Sequence, residues 1–224
     1  KNIFKPKIKK PKIKKTKIKK TKIKKTKKIE NKEINKKFEN YKAYYEKEDN
    51  ETTWEYGIFS RLIDEYISEE TKLNIVEVGI ARAGNVKDTI EKLGTRIQSY
   101  IGIDPYLSGY DDSDIFSQKS QVDMDYCYSY VLNKINDERF KLYRSSSEVI
   151  APLIPNKSID AIYIDGDHSY EGVLRDIILW KDKVKQGGII VGDDYPLFPG
   201  VKKAVNESFD NFQLEDNCWF HFNS

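Results

Sequence analysis

Two short stretches gather most of the side chains able to do chemistry. In "IYIDGDHSY" (Ile162 to Tyr170) an apolar run ends on Asp165, Asp167 and His168, and in "GGIIVGDDY" a second run ends on Asp193 and Asp194. Carboxylates from neighbouring strand ends repel one another unless a cation lies among them. Oxygen donors of this kind suit Mg²⁺, Ca²⁺ or Mn²⁺ better than a thiolate-bound metal. Asp165, Asp193 and Asp194 are therefore the predicted metal ligands. His168, one of only two histidines, stands three residues beyond the first of them. Its ordinary pKa of about 6.5 suits proton transfer near neutrality, so it is the predicted general base. Asp167 is read as a turn-former. The plain alternative is two acidic turns and a surface histidine, and either turn alone would favour it. Both at the carboxyl ends of parallel strands favour the cation.

Three further strand ends carry polar residues. "EVGIARAGN" offers Gly79 and Gly84 for close backbone approach, and a helix from Asn85 whose first amides face a bound group. This is not the G-x-G-x-x-G dinucleotide fingerprint. "IGIDPY" ends on Asp104, placed where a carboxylate would hold a ribose diol, or where it would cap a turn. "YRSSSEV" brings Ser145 to Ser147, read first as a helix cap and second as an adenine edge.

The elements that must position these residues alternate. Strands are expected at Leu73–Ile80, "IQSYIGIDPY", "FKLYRSS", "SIDAIYIDGD" and "GGIIVGDDY". Helices are expected at Trp54–Glu70, "GNVKDTIEKLG", "SQVDMDYCYSYVLNKI", "SEVIAPLI", "YEGVLRDIILWKDKV" and "PGVKKAVNESF". "FQLEDNCWFHF" reads as a closing hairpin and "LSGYDDSDIFSQ" as an exposed loop. Strand–helix alternation at this spacing means a parallel sheet covered on both faces. Ligands of such sheets bind beyond the carboxyl ends of the strands.

Charge divides the chain. Residues 1–28 hold 16 lysines and no acid, and the remainder carries 23 basic against 36 acidic residues, a net of −13. Ile8, Ile13, Ile18 and Ile23 recur every five residues, turning about 140° per step on a helix and forming no face. The arm is expected to be disordered in isolation. It is either an electrostatic handle for a polyanion (nucleic acid, anionic membrane or acidic polysaccharide) or a solvated tail. Residues 29–53 are expected to form a linker or helical lead-in, and residues 54–224 the folded domain. Two cysteines fit neither a metal site nor a disulfide framework, and no apolar run approaches the ~18 residues of a membrane span. An intracellular, cytoplasmic protein is expected, or a nuclear one if the arm acts as an import signal. A homo-oligomer is compatible with this composition.

The series "VEVGIARAGN", "IGIDPY", "IYIDGDHSYEGVLRDIILW" and "GGIIVGDDY" resembles the class I S-adenosylmethionine-dependent methyltransferases. Within them it is most similar to the metal-dependent small-molecule branch that includes macrolide sugar O-methyltransferases. The resemblance spans about Tyr56 to Val205, and Asp165 to Tyr195 is its specific part. It implies an α/β, Rossmann-like, doubly wound seven-stranded sheet with an antiparallel last strand. It further implies Glu77, Gly79, Gly84 and Asn85 around the methionine end of the cofactor, Asp104 at the ribose, and Ser146 or Ser147 beside the adenine. Asp165, Asp193 and Asp194 would hold Mg²⁺ or another divalent ion, with His168 as base. The activity implied is methyl transfer to a hydroxyl of a small molecule such as a sugar or glycan. A nucleic-acid methyltransferase using the arm, or a cofactor-binding member without transferase activity, are the alternatives. Ala81 and Ala83 stand where many such enzymes have glycine, which implies a tighter loop.

Overall fold

The computed structural model describes residues 36, 39–47, 56–112 and 114–223. The lysine-rich arm at 1–28 and most of the 29–53 lead-in lie outside them. The chain divides into two units, residues 1–40 and 41–224. Of the first, residues 36, 39 and 40 are described, and they are helical.

The second unit is built on seven strands: β1 (Leu73–Val78), β2 (Ile97–Ile103), β3 (Phe140–Tyr143), β4 (Ile159–Ile164), β5 (Val184–Gly192), β6 (Gln213–Glu215) and β7 (Cys218–Phe222). Their order across the sheet is β3-β2-β1-β4-β5-β7-β6. The first five are mutually parallel, and β7 runs antiparallel to both β5 and β6. This is the predicted architecture. The central strand β4 is buried along its whole length, which explains why its sequence, "IDAIYI", does not alternate between apolar and polar as a one-sided strand would.

Helices cover both faces: α1 (Ile58–Tyr66), α2 (Gly84–Leu93), α3 (Gln121–Lys134), the single turn α4 (Ser147–Ile150), α5 (Tyr170–Trp180) and α6 (Pro199–Ser208). Strand side chains alternate between two cores, as the period of two requires. Ile75, Ala161, Tyr163, Ile189 and Val191 pack with Phe59, Leu62, Val86, Met124 and Val131 on one face. Val76, Val78, Ile162, Ile164 and Ile190 pack with Val173, Ile177, Trp180, Val201 and Val205 on the other. Residues 41–47 are helical and join the first core, with Tyr45 buried and Tyr41 stacked on Tyr126 of α3 at 4.4 Å between ring centroids.

Local sequence sets the helix starts. Ser120 and Asp123 form a reciprocal capping box at α3, the Ser169 side chain accepts the Gly172 amide at α5, and Pro199 opens α6. Two boundaries differ from expectation. The helix expected to run to Glu70 ends at Tyr66, where Ile67 turns extended. α5 stops at Trp180 and a 3₁₀ turn follows, so Val184, expected to end the helix, begins β5 instead. The register of β4 against β5 then slips between Ile159 and Ala161. Gly187, at φ 77°, absorbs the extra residues in a conformation only glycine adopts without cost.

Candidate active site at the carboxyl edge of the sheet

β1 ends at Val78, and Gly79 turns the chain with φ 84°. A Cβ at Gly79 would overlap the Asp165 carbonyl, so the turns after β1 and β4 meet backbone to backbone. Ala81 and Ala83 both take left-handed backbone, at φ 43° and 57°, which costs about 1–2 kcal/mol each relative to glycine. Hydrogen bonds hold them there. The Ala83 amide donates to the Ile80 carbonyl at 2.7 Å, and the Ala81 carbonyl accepts from the Tyr106 hydroxyl at 3.1 Å. The loop is thus tight because its strain is pinned from several sides. Gly84 opens α2 and lies against the Tyr56 ring, which would collide with any side chain added there.

Glu77 points into the first core beside this turn, where it accepts from Asn85 Nδ2 at 3.2 Å and from the Tyr100 hydroxyl. Burial pushes its carboxyl up to about 8, against the two hydrogen bonds. Asp104 uses its carboxylate on backbone: Oδ2 accepts the Ile80 and Ala81 amides, each at 3.0 Å, and Oδ1 accepts the Tyr106 amide at 2.7 Å. It therefore shapes the β1–α2 loop from the end of β2. A carboxylate offers about four acceptor sites, and three are in use. Ser147 is buried and accepts from Trp180 Nε1 at 3.1 Å, committing its hydroxyl to the core. Ser146 stands at the N-cap position of α4, its side chain near Glu148.

Beyond β4 and β5, Asp165, His168 and Asp194 come together, each able to offer one ligand atom, with those atoms within 4.8 Å of one another. His168 Nε2 lies 3.1 Å from Asp194 Oδ2 and 3.4 Å from Asp165 Oδ1. The ring packs against Phe198, tilted by 33° with 4.4 Å between centroids, and among the described residues its buried Nδ1 has no hydrogen-bond partner. Asp194 has φ 64°, and this left-handed turn separates the two consecutive aspartates. Asp194 faces His168. Asp193 instead accepts from the Tyr163 hydroxyl at 2.9 Å and from its successor's amide at 2.8 Å, with the Cys218 thiol 3.6 Å away. The expected Asp165–Asp193–Asp194 set is therefore arranged as Asp165, Asp194 and the imidazole, with Asp193 turned behind them. Asp167 accepts the Ser169 amide at 3.0 Å, as a turn-former does.

The electrostatics follow from burial and crowding. Burial raises Asp165 to about 7, His168 opposing and Asp193 adding to the rise. Burial likewise raises Asp194 to about 6, with His168 pulling it down and Asp193 and Asp114 pushing it up. Burial alone would depress His168, but its hydrogen bond to Asp165 and the charges of Asp165 and Asp194 lift it to about 9. In effect a proton on the imidazole balances the carboxylates. Two carboxylates and an imidazole also make a donor set that a divalent cation accepts.

The loop between β2 and α3 contributes residues the motifs did not single out. Tyr110 donates to Asp114 Oδ2 at 2.8 Å, and Asp114 acts electrostatically on both His168 and Asp194. The acids of "YDDSD" are visible in the sequence, but which of them reaches the cluster depends on the loop's path.

Residues 81–195, just over half the chain, match the methyltransferase domain family. An uncharacterized protein of Acanthamoeba polyphaga mimivirus is 32% identical over 151 residues, covering 65% of this chain and 63% of the viral protein. The chain thus spans less than two thirds of that relative's length. Among solved structures, the O-methyltransferase NovP superposes with TM-score 0.57 at 17% identity, covering 74% of this chain and 78% of its own. A Staphylococcus aureus protein provisionally assigned as a caffeoyl-CoA O-methyltransferase superposes with TM-score 0.50 at 12% identity, covering 72% and 78%. At such identities these likenesses speak to fold. With the family match over residues 81–195, and with a strand order and polar strand ends of the kind its motifs resemble, the chain belongs to the methyltransferase domain family and has its Rossmann-like fold.

Proposed function

We propose that the protein transfers a methyl group from S-adenosylmethionine to a hydroxyl of a small polyhydroxylated molecule, a sugar or glycan, with the help of a divalent cation. The observation that carries this reading is the meeting of Asp165, His168 and Asp194 directly beside the Gly79 turn. That places a proton acceptor and a cation-type donor set next to the turn that approaches a bound cofactor.

In this reading the methionine end of the donor lies along Gly79, Gly84 and Asn85 near Glu77, and the ribose takes the remaining acceptor capacity of Asp104. Ser146 borders the adenine, whereas Ser147 is committed to Trp180. Asp165 and Asp194 hold the cation, and Asp193 supports them from behind. A bound Mg²⁺ or similar ion would supply Lewis acidity at the acceptor oxygen. With a cation in place of the proton that otherwise balances Asp165 and Asp194, the imidazole would be neutral, and Nε2, the nitrogen that faces the two carboxylates, would take the hydroxyl proton. The acceptor oxygen bonds to the methyl carbon as the carbon–sulfur bond breaks, and S-adenosylhomocysteine leaves. Because a sulfonium departs readily, alignment and deprotonation are the protein's main contributions.

The test is labelled-methyl transfer from S-adenosylmethionine to a panel of nucleotide sugars, glycosides and catechols, with RNA as a further arm and with the divalent ion titrated. Sugar methylation abolished by chelator and reduced about 10²–10⁴-fold in His168→Ala supports the reading. Full activity in chelator, or in His168→Ala, overturns it.

A further inference from the structure

The segment that leaves β5 runs from Asp194 into α6 and meets His168 three times. Asp194 Oδ2 lies 3.1 Å from Nε2. The Phe198 ring lies against the imidazole, 4.4 Å between centroids. At Gly200 the start of α6 comes so near that an added Cβ would stand 2.6 Å from both the His168 carbonyl oxygen and the Tyr170 amide nitrogen. One turn ties these contacts together, because the Asp194 carbonyl accepts the Leu197 and Phe198 amides, each at 3.1 Å.

A histidine that acts through one nitrogen is ordinarily oriented by a hydrogen bond at the other. The buried Nδ1 of His168 has no such partner among the described residues. The chain's other histidine makes the contrast. His221 also lies on an aromatic ring, Phe209, at 4.3 Å, but its Nδ1 donates to the Asn211 carbonyl at 2.7 Å. At His168 an aromatic face stands where that bond is missing. Simple packing is the competing account, since Phe198 borders the second core. Yet α6 is fastened without it. Val201, Ala204 and Val205 are buried, the Tyr170 hydroxyl donates to Glu207 at 2.6 Å, and Lys203 Nζ lies 3.7 Å from the centre of the Tyr170 ring. Docking of the helix therefore does not call for a ring on the imidazole.

We propose that Phe198 is a positioning residue for His168: its ring, with the Gly200 contact behind it, fixes the imidazole plane so that Nε2 keeps facing Asp165, Asp194 and the acceptor hydroxyl. Phe198 itself gives and takes no proton. It restricts the ring to the orientation in which the proton can move. The inference rests on the methyl-transfer reading for the proton that Nε2 takes, and its test is separable from that reading.

Histidine labelled with ¹³C at Cε1 gives one signal for each of the two histidines, and His221 serves as the internal reference. The full chain is studied with S-adenosylhomocysteine and Mg²⁺. In Phe198→Leu the ¹³C relaxation of His168 should report a mobile ring, with His221 unchanged, and Phe198→Tyr should keep the wild-type behaviour. Gly200→Ala, whose methyl pushes α6 off the His168 backbone, is a second route to the same loosening that leaves Phe198 in the chain. With the acceptor that wild type uses best in the panel above, Phe198→Leu should lower kcat about 10-fold or more, as misplaced reacting groups do, while KM stays within about twofold. Phe198→Tyr should restore the rate. Relaxation of His168 unchanged in both Phe198→Leu and Gly200→Ala overturns the proposal. So does a mobile ring with kcat at the wild-type value, which leaves the transferase reading standing. If the ring loosens as expected but wild type methylates nothing in the panel, the positioning contact stands and the transferase reading falls.

Discussion

His168 is held by two acids, and that makes its proton a measurable quantity. The chain has only two histidines, so His168 and His221 are readily told apart by NMR titration. Without added cation His168 should titrate near 9, and Asp165→Asn should bring that value down, because it removes the hydrogen-bonded carboxylate. A titration unchanged in Asp165→Asn would mean that the contact is absent in solution. A group whose folded pKa is raised above its unfolded value of about 6.5 adds stability that is complete below that value. For His168 that stability fades as pH rises through about 9. Glu77 offers a second reading of the same kind. Its folded value near 8 exceeds the ordinary 4.5, so the folded state retains a proton that the unfolded chain gives up. Stability should therefore fall as pH rises from about 4.5 through 8, and Glu77→Gln should flatten that part of the profile in thermal melts. A Gln variant with the same slope as wild type would place the penalty on another group.

At the scale of elements, the carboxyl edge is organised by loops that brace each other. Asp104, at the end of β2, holds the Ile80, Ala81 and Tyr106 amides. Asp104→Ala leaves three amides without their acceptor, at about 1–3 kcal/mol for each that stays buried. Urea denaturation should show a loss of at least about 3 kcal/mol, beyond any effect on cofactor affinity, and a loss below about 1 kcal/mol would show that the loop does not depend on it. The same elements show how far sequence reading reaches. Apolar runs ending in Gly and Asp revealed the strands and their polar tips, because strand burial and turn chemistry are local properties. Whether Asp193 or Asp194 faces His168 was not legible, since it depends on one left-handed residue. Nor was the approach of Asp114 to the cluster, which depends on how a closed loop crosses the sheet edge. The expected helix end at Val184 failed because apolar periodicity continues smoothly from α5 into β5.

For the whole molecule, the outstanding feature is the charge division between residues 1–28 and the rest. Among the described residues no helix is long and apolar enough to cross a membrane. We expect the lysine-rich segment to govern retention on immobilised polyanions such as heparin or duplex DNA, with retention falling steeply as salt rises. Deleting residues 1–28 should abolish that retention and leave S-adenosylhomocysteine affinity unchanged. Equal retention of both forms would move the polyanion contact into the acidic domain. The meeting of Gly79 with the Asp165 carbonyl has a consequence for how such a protein can diversify. In the proposed reading, the turn that seats the methyl donor and the turn that bears the proton acceptor share one backbone seam, so neither can drift without carrying the other. The span between donor and acceptor is thereby inherited as a unit. Acceptors could then change through the surrounding loops while that seam stays closed, because any side chain at Gly79 would overlap the Asp165 carbonyl.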